Sequence, residues 1–174
     1  MSVSLQQISI EPYVQMLDAL CGMLDKGQQY CDEKNQDANA LLDLRLADDM
    51  HPMRFQLHMA TYQSDGALQG IRDGVFTPPK HILELDYAGF RKHIAEIADK
   101  LRVMEASEID TLSYKPLVFK LGELEIPFNA EGFVLSFSLP NLYFHTTTAY
   151  ALLRMHGVPL GKIDFLGQLK VSQP

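Results

Sequence analysis

Apolar residues recur at alternating steps of three and four along most of this chain, the spacing that lays one hydrophobic stripe down an α-helix. Tyr13, Leu17, Leu20, Leu24 and Cys31, with Gly27 filling the gap, predict a long first helix. Pro12 sits near its start or at a kink, and the polar run Asp32 to Asn39 closes it. After a short segment over 38–46, Asp48-Asp49-Met50-His51-Pro52 opens a second helix, because acids favour the N-terminal dipole and proline tolerates an early helical position. Its stripe is Met53, Leu57, Ala60, Ala67 and Ile71, widened by Phe55, Met59 and Tyr62, and it runs towards Gly74. Arg54, Asp65 and Arg72 form the wet side, whereas Gln56 and Gln63 fall inside the apolar arc.

Thr77-Pro78-Pro79 cannot be helical and begins a long link. Asp86 is then placed to cap a third helix, in which Tyr87, Phe90, Ile94, Ile97, Leu101 and Met104 repeat at three and four. Arg91, Lys92, Glu96, Asp99 and Lys100 are its solvated residues, and His93 goes with them. Between Pro116 and Pro127 apolar and polar residues alternate about Gly122, which reads as two short strands in a hairpin. Asn129 can cap a fourth helix, Pro140 should kink it, and Gly157 with Pro159 should stop it ahead of a glycine-punctuated tail. The run Gly157 to Lys162 looks like a phosphate loop, but no strand precedes it and no helix clearly follows, so a C-cap and turn is expected. The predicted fold is all-α: a single domain over 1–174, a four-helix bundle with a long crossover between helices two and three and a small β-hairpin before helix four.

Composition narrows the partners. With 174 residues and 47% hydrophobic content, the chain is long enough to bury one core without disulfides or a structural metal. A net charge of −7 argues against a broad basic surface for nucleic acid or anionic lipid, so neither partner is expected. No leader-like segment and no run of about 18 apolar residues appears, which points to a cytoplasmic protein that neither spans nor binds a membrane. Cys21 and Cys31 lie about 15 Å apart along one helix, too far for a disulfide, and read as buried thiols suited to a reducing compartment.

The candidate chemistry centres on one histidine. At about 100° per residue, Val134, Asn141, Ala149 and Leu152 fall within roughly 40° of His145, so its imidazole points into the bundle. Gln56 on the second helix is the best partner across the core. The expected ligand pocket is His145, Asn141 and Gln56 among the aromatics Phe55, Tyr62 and Phe144. Asn141 can also serve backbone groups freed by Pro140. His51 and His58 are about 10 Å apart along the helix, so at most one of them can join His145 on a single ion. Both fall at the border of the apolar arc, which predicts exposed or rim positions. Asp43, Asp48 and Asp49 lack the spacing of a calcium loop.

Three segments carry a family resemblance: Leu46-Ala47-Asp48-Asp49-Met50-His51-Pro52, the run Leu139-Pro140-Asn141-Leu142-Tyr143-Phe144-His145-Thr146-Thr147-Thr148-Ala149-Tyr150, and Gly161-Lys162-Ile163-Asp164-Phe165-Leu166-Gly167. Together they resemble an uncharacterised bacterial branch of the DinB/YfiT-like superfamily over essentially the whole chain. The resemblance implies a four-helix bundle, often a homodimer. It further implies, for better-known members, a divalent metal on three histidines, one from the second helix and an HxxxH pair from the fourth, serving thiol-dependent transferases or hydrolases. This chain departs from that pattern. His145 matches one member of the pair, Ala149 stands where the other would be, Gln56 occupies the second-helix position, and His51 is an alternative to it. Two readings follow: a metal-free bundle binding a small ligand or serving assembly, or a metalloenzyme in which His145 with His51 or His58 holds Zn, Ni or Mn.

Overall fold

The computed structural model describes residues 3–171. The first helix, α1 (Leu5–Lys34), starts seven residues ahead of Pro12, which lies within it. The reason is a capping box: the Ser4 hydroxyl accepts from the Gln7 backbone N–H, and the Gln7 side chain accepts from the Ser4 N–H. Asn35, in a left-handed conformation with φ of 53°, ends the helix. A 3-10 helix, Ala38–Asp43, follows it.

The second rod is built in three pieces: α2 (Met53–Thr61), a π turn (Tyr62–Gly66) and α3 (Ala67–Asp73), closed by Gly74 at φ of 75°. The strand β1 (Val75–Phe76) follows directly, and the irregular link begins after it at Thr77, where the two prolines place it. Asp86 caps α4 (Tyr87–Arg102) by accepting from the Gly89 N–H, and a short α5 (Ala106–Asp110) that the pattern does not announce comes next. The expected hairpin is present as β2 (Pro116–Leu121) and β3 (Leu124–Asn129), paired antiparallel with Lys120 opposite Glu125. The added element is β1, which pairs in parallel with β2 and makes a three-stranded sheet in the order β1-β2-β3.

The last rod also carries an inserted turn. Asn129 caps α6 (Ala130–Phe133), a π turn (Val134–Ser138) continues it, and α7 (Leu139–Met155) follows with Pro140 in its first turn. Pro140 has no N–H to give back into this continuous rod, and the π turn stands immediately ahead of it. Gly157, at φ of 104°, ends the rod, and the expected tail instead contains a short helix, α8 (Lys162–Leu166), opened by the Asp164 carboxylate accepting from the Gly161 N–H.

The molecule is thus mainly helical, with α1 packed against α4 and α7, α2 packed against α7 and α4, and α8 laid on α1. A single hydrophobic cluster runs through these elements, with Tyr13, Leu17, Leu20 and Leu24 of α1, Leu57 of α2, Phe90 and Ile94 of α4, and Leu152 of α7 fully buried. Both cysteines are free and buried. Among the described residues no helix is long and apolar enough to cross a membrane.

Candidate functional site

The α2–α7 interface places a short polar chain in an otherwise apolar contact. Gln56 Oε1 lies 2.8 Å from His145 Nδ1, and the Gln56 amide donates to the carbonyl oxygen of His51 at 3.0 Å. Gln56 and His145 are 2% and 6% exposed, so neither group exchanges these partners freely with water. The geometry fixes the proton. Because the Gln56 NH₂ is directed at a carbonyl, its oxygen faces His145, and Nδ1 must carry the hydrogen; Nε2 keeps its lone pair. Burial, and secondarily the charge of His51, lowers the His145 pKa to about 4. The ring is therefore neutral near pH 7, a hydrogen-bond acceptor or metal ligand at Nε2 and a weak base.

Aromatic rings frame this imidazole. Phe55 meets it edge to face at a centroid distance of 5.9 Å and stacks on the exposed His51 at 4.0 Å. Phe144, itself more than half exposed, meets the His145 ring edge to face at 5.3 Å. Phe144 also lines a shallow concavity of about 370 Å³ on the outside of α7, with Leu46, Pro140, Tyr143, Thr147 and Thr148. Two of the segments that carried the family resemblance, the loop 46–52 and α7, therefore meet at Gln56 and Phe144.

Other expected site residues lie elsewhere. Asn141 spends its amide on the carbonyl oxygen of Phe137, one helical turn back, inside the stretch disturbed by the π turn and Pro140. Tyr62 donates to the Thr77 carbonyl oxygen at 2.6 Å and packs on Phe76 and His58. His58 was expected at an exposed or rim position; instead it is 7% exposed, and among the described residues neither ring nitrogen has a hydrogen-bond partner. Helical phase alone misplaced it because α2 is covered on both flanks, by α7 and by α4, so residues at the edge of its stripe are buried too. Among the described residues no group of three or more His, Cys, Asp or Glu side chains is placed to hold a metal ion, and His58 does not join His51 and His145.

A second buried polar centre was not anticipated. The Tyr13 hydroxyl donates to Ser138 Oγ at 2.6 Å, and Ser138 Oγ donates to the Gln63 carbonyl oxygen at 2.5 Å, joining the two π turns to each other and to α1. Its side-chain members are Tyr13 and Ser138; Gln63 contributes only its backbone carbonyl, so the polar side chains of the second rod gave no signal of it.

Residues 5–166 match the model of a family described as a domain of unknown function, DUF1993. The chain belongs to that family. The fold resembles the crystal structure of a DinB family member protein from Shewanella denitrificans, at 24% sequence identity and a TM-score of 0.78, covering 98% of this chain and 96% of that one. The DUF1993 chain therefore has a DinB-like fold. No curated protein matches its sequence.

Proposed function

We propose that this DUF1993 protein is a metal-free four-helix bundle that uses the site around His145 to bind a small neutral molecule. The observation that carries the reading is the Gln56 bridge: it commits His145 Nδ1–H to the protein and leaves Nε2 as an acceptor among Phe55 and Phe144. A neutral acceptor in an apolar frame suits a flat ligand with one hydroxyl or N–H donor, and disfavours an anion. The outer strip of α7 that includes Tyr143, Phe144, Thr147 and Ala151 lines a concavity with no charged residue, which suits a second copy of a chain whose net charge is −7. The proposed setting is a cytoplasmic homodimer.

One observation favours the alternative, a divalent-metal-dependent thiol transferase or hydrolase: Phe55 stacks on His51 and meets His145 edge to face, so two imidazoles flank one ring. Elemental analysis decides between them, using untagged protein exposed to excess Zn²⁺, Ni²⁺ or Mn²⁺ and freed of loose ion. The binding reading expects no stoichiometric ion, together with thermal shifts by small phenols or amides that vanish in His145→Ala. About one ion per chain, lost in His145→Ala, would overturn it in favour of the metalloenzyme.

A further inference from the structure

His58 stands apart from the proposed binding site and is not explained by it. Its imidazole lies on α2, 7% exposed, with both ring nitrogens unpartnered among the described residues. A neutral imidazole always carries one N–H and one lone pair, so leaving both unused in the interior is unfavourable relative to an apolar side chain of the same shape. The ring packs against Tyr62, whose hydroxyl holds the Thr77 carbonyl oxygen and whose ring rests on Phe76. His58, at the end of α2, thus backs the contact that ties the start of the crossover, 77–86, onto the π turn that continues α2. Further along, Leu83 and Leu85 of the crossover pack against the core and line a concavity of about 660 Å³ with Arg54.

The charges around His58 decide what a proton there would do. Across the α2–α4 interface stands His93, a second imidazole that opposes charge on the first. On the same rod, Arg54 is paired with Asp43 of the 3-10 helix at 2.7 Å, and Asp65 is paired with Lys100 of α4 at 2.6 Å. The crossover contributes Lys80, His81, Glu84 and Asp86 around the Arg54 concavity, and Asp86 is committed to the α4 cap. Among the described residues no carboxylate bonds to His58, and Asp43 and Asp65 are paired with other cations. An imidazolium at His58 would be a buried charge without a counterion, which cores do not retain.

We infer that His58 is an acid-sensitive latch, which keeps the crossover 77–86 and the facing part of α4 seated on α2 while neutral and releases them when protonated. Burial and His93 both push the His58 pKa below its ordinary value, so the neutral state prevails near neutrality and the release belongs to mildly acid conditions. The inference rests on a different residue, facing a different helix, from the ligand reading.

Hydrogen exchange followed by mass spectrometry tests it on the full chain at about pH 7.5 and about pH 5.5, after correction for the intrinsic pH dependence of exchange. The expected result is a loss of protection of about tenfold or more over 77–94 at the lower pH, in the wild type and in His145→Gln, but not in His58→Phe. An equal loss in His58→Phe, or no loss in the wild type, would overturn the latch. Should His58→Phe not fold, imidazole NMR of the wild type decides. A His58 titration below its ordinary value, coincident with shifts in crossover amides, supports the latch, and a titration that leaves those amides unmoved overturns it.

Discussion

Gln56 Oε1 and His145 Nδ1, 89 positions apart in the chain, lie 2.8 Å apart at the centre of the α2–α7 contact, and the same glutamine amide holds the carbonyl oxygen of His51. One side chain therefore positions an imidazole and closes the loop that leads into α2. Replacing it by leucine leaves a buried N–H and a carbonyl without partners. Gln56→Leu is expected to cost about 1–3 kcal/mol in urea denaturation. Gln56→Glu should instead set a carboxylate against Nδ1–H and raise the His145 pKa well above about 4, readable by imidazole NMR. A His145 titration unmoved in Gln56→Glu would show that the bridge does not form.

The depressed pKa of His145 also sets a pH dependence of stability. Above 6.5 the imidazole is neutral whether the chain is folded or unfolded, and it contributes no slope. As pH falls below 6.5 the unfolded chain takes up the proton while the folded chain resists it down to about 4, so stability declines across that window. The decline attributable to His145 is of the order of 3 kcal/mol. Denaturation curves at several pH values should show it, and His145→Gln, which keeps a donor for Gln56 without a titrating ring, should flatten the profile. An unchanged profile in His145→Gln would place the acid sensitivity elsewhere, His58 being the other histidine shifted in the same direction.

Much of this architecture was legible because period and punctuation agreed. Every residue of the second-helix stripe is buried, Asp86 and Asn129 cap as expected, and the hairpin lies where alternation placed it. The losses share a physical cause: single-helix phase carries no information about what lies beside a helix. Phase found Gln56 and His145, which face each other across one interface. It misplaced His58, which is buried by a second interface with α4, and it gathered Tyr62 and Asn141 into a site that their own hydrogen bonds take them away from. The strand β1 was missed because two residues carry no period, and its parallel pairing with β2 depends on partners more than 40 positions away.

The π turns offer a second stability test. Ser138 Oγ donates to the Gln63 carbonyl oxygen and accepts from the Tyr13 hydroxyl, so removing each group has a different consequence. Tyr13→Phe deletes a donor and leaves Ser138 still bonded to Gln63, at an expected cost of about 1 kcal/mol. Ser138→Ala strands a buried phenol and a buried carbonyl together and should cost about 2–3 kcal/mol. Chemical denaturation of the two single variants and the double variant checks this: the double should cost no more than Ser138→Ala alone, because Tyr13→Phe removes the phenol that Ser138→Ala strands. Additive costs would mean that the two hydroxyls act independently.

Gly27, which the sequence pattern reads only as a gap in the α1 stripe, sits where α1 meets both α4 and α7. A Cβ built there would stand 2.2 Å from the Tyr87 hydroxyl oxygen and 3.3 Å from a Leu153 methyl carbon, so α1 needs a glycine to admit α4 and α7 at this level. The Tyr87 hydroxyl in turn donates to the Leu24 carbonyl oxygen at 2.8 Å, a bond made possible by the missing side chain. Elsewhere in a helix alanine would gain roughly 0.5–1 kcal/mol over glycine. Here Gly27→Ala must displace a fully engaged phenol, and a net loss of about 2 kcal/mol is expected. Tyr87→Phe removes the oxygen that the new methyl would strike, so adding it to Gly27→Ala should recover part of the loss even though Tyr87→Phe is destabilising alone. Thermal and urea midpoints of the four proteins provide the cycle, and purely additive losses would show that α4 approaches α1 less closely than the hydroxyl contact requires.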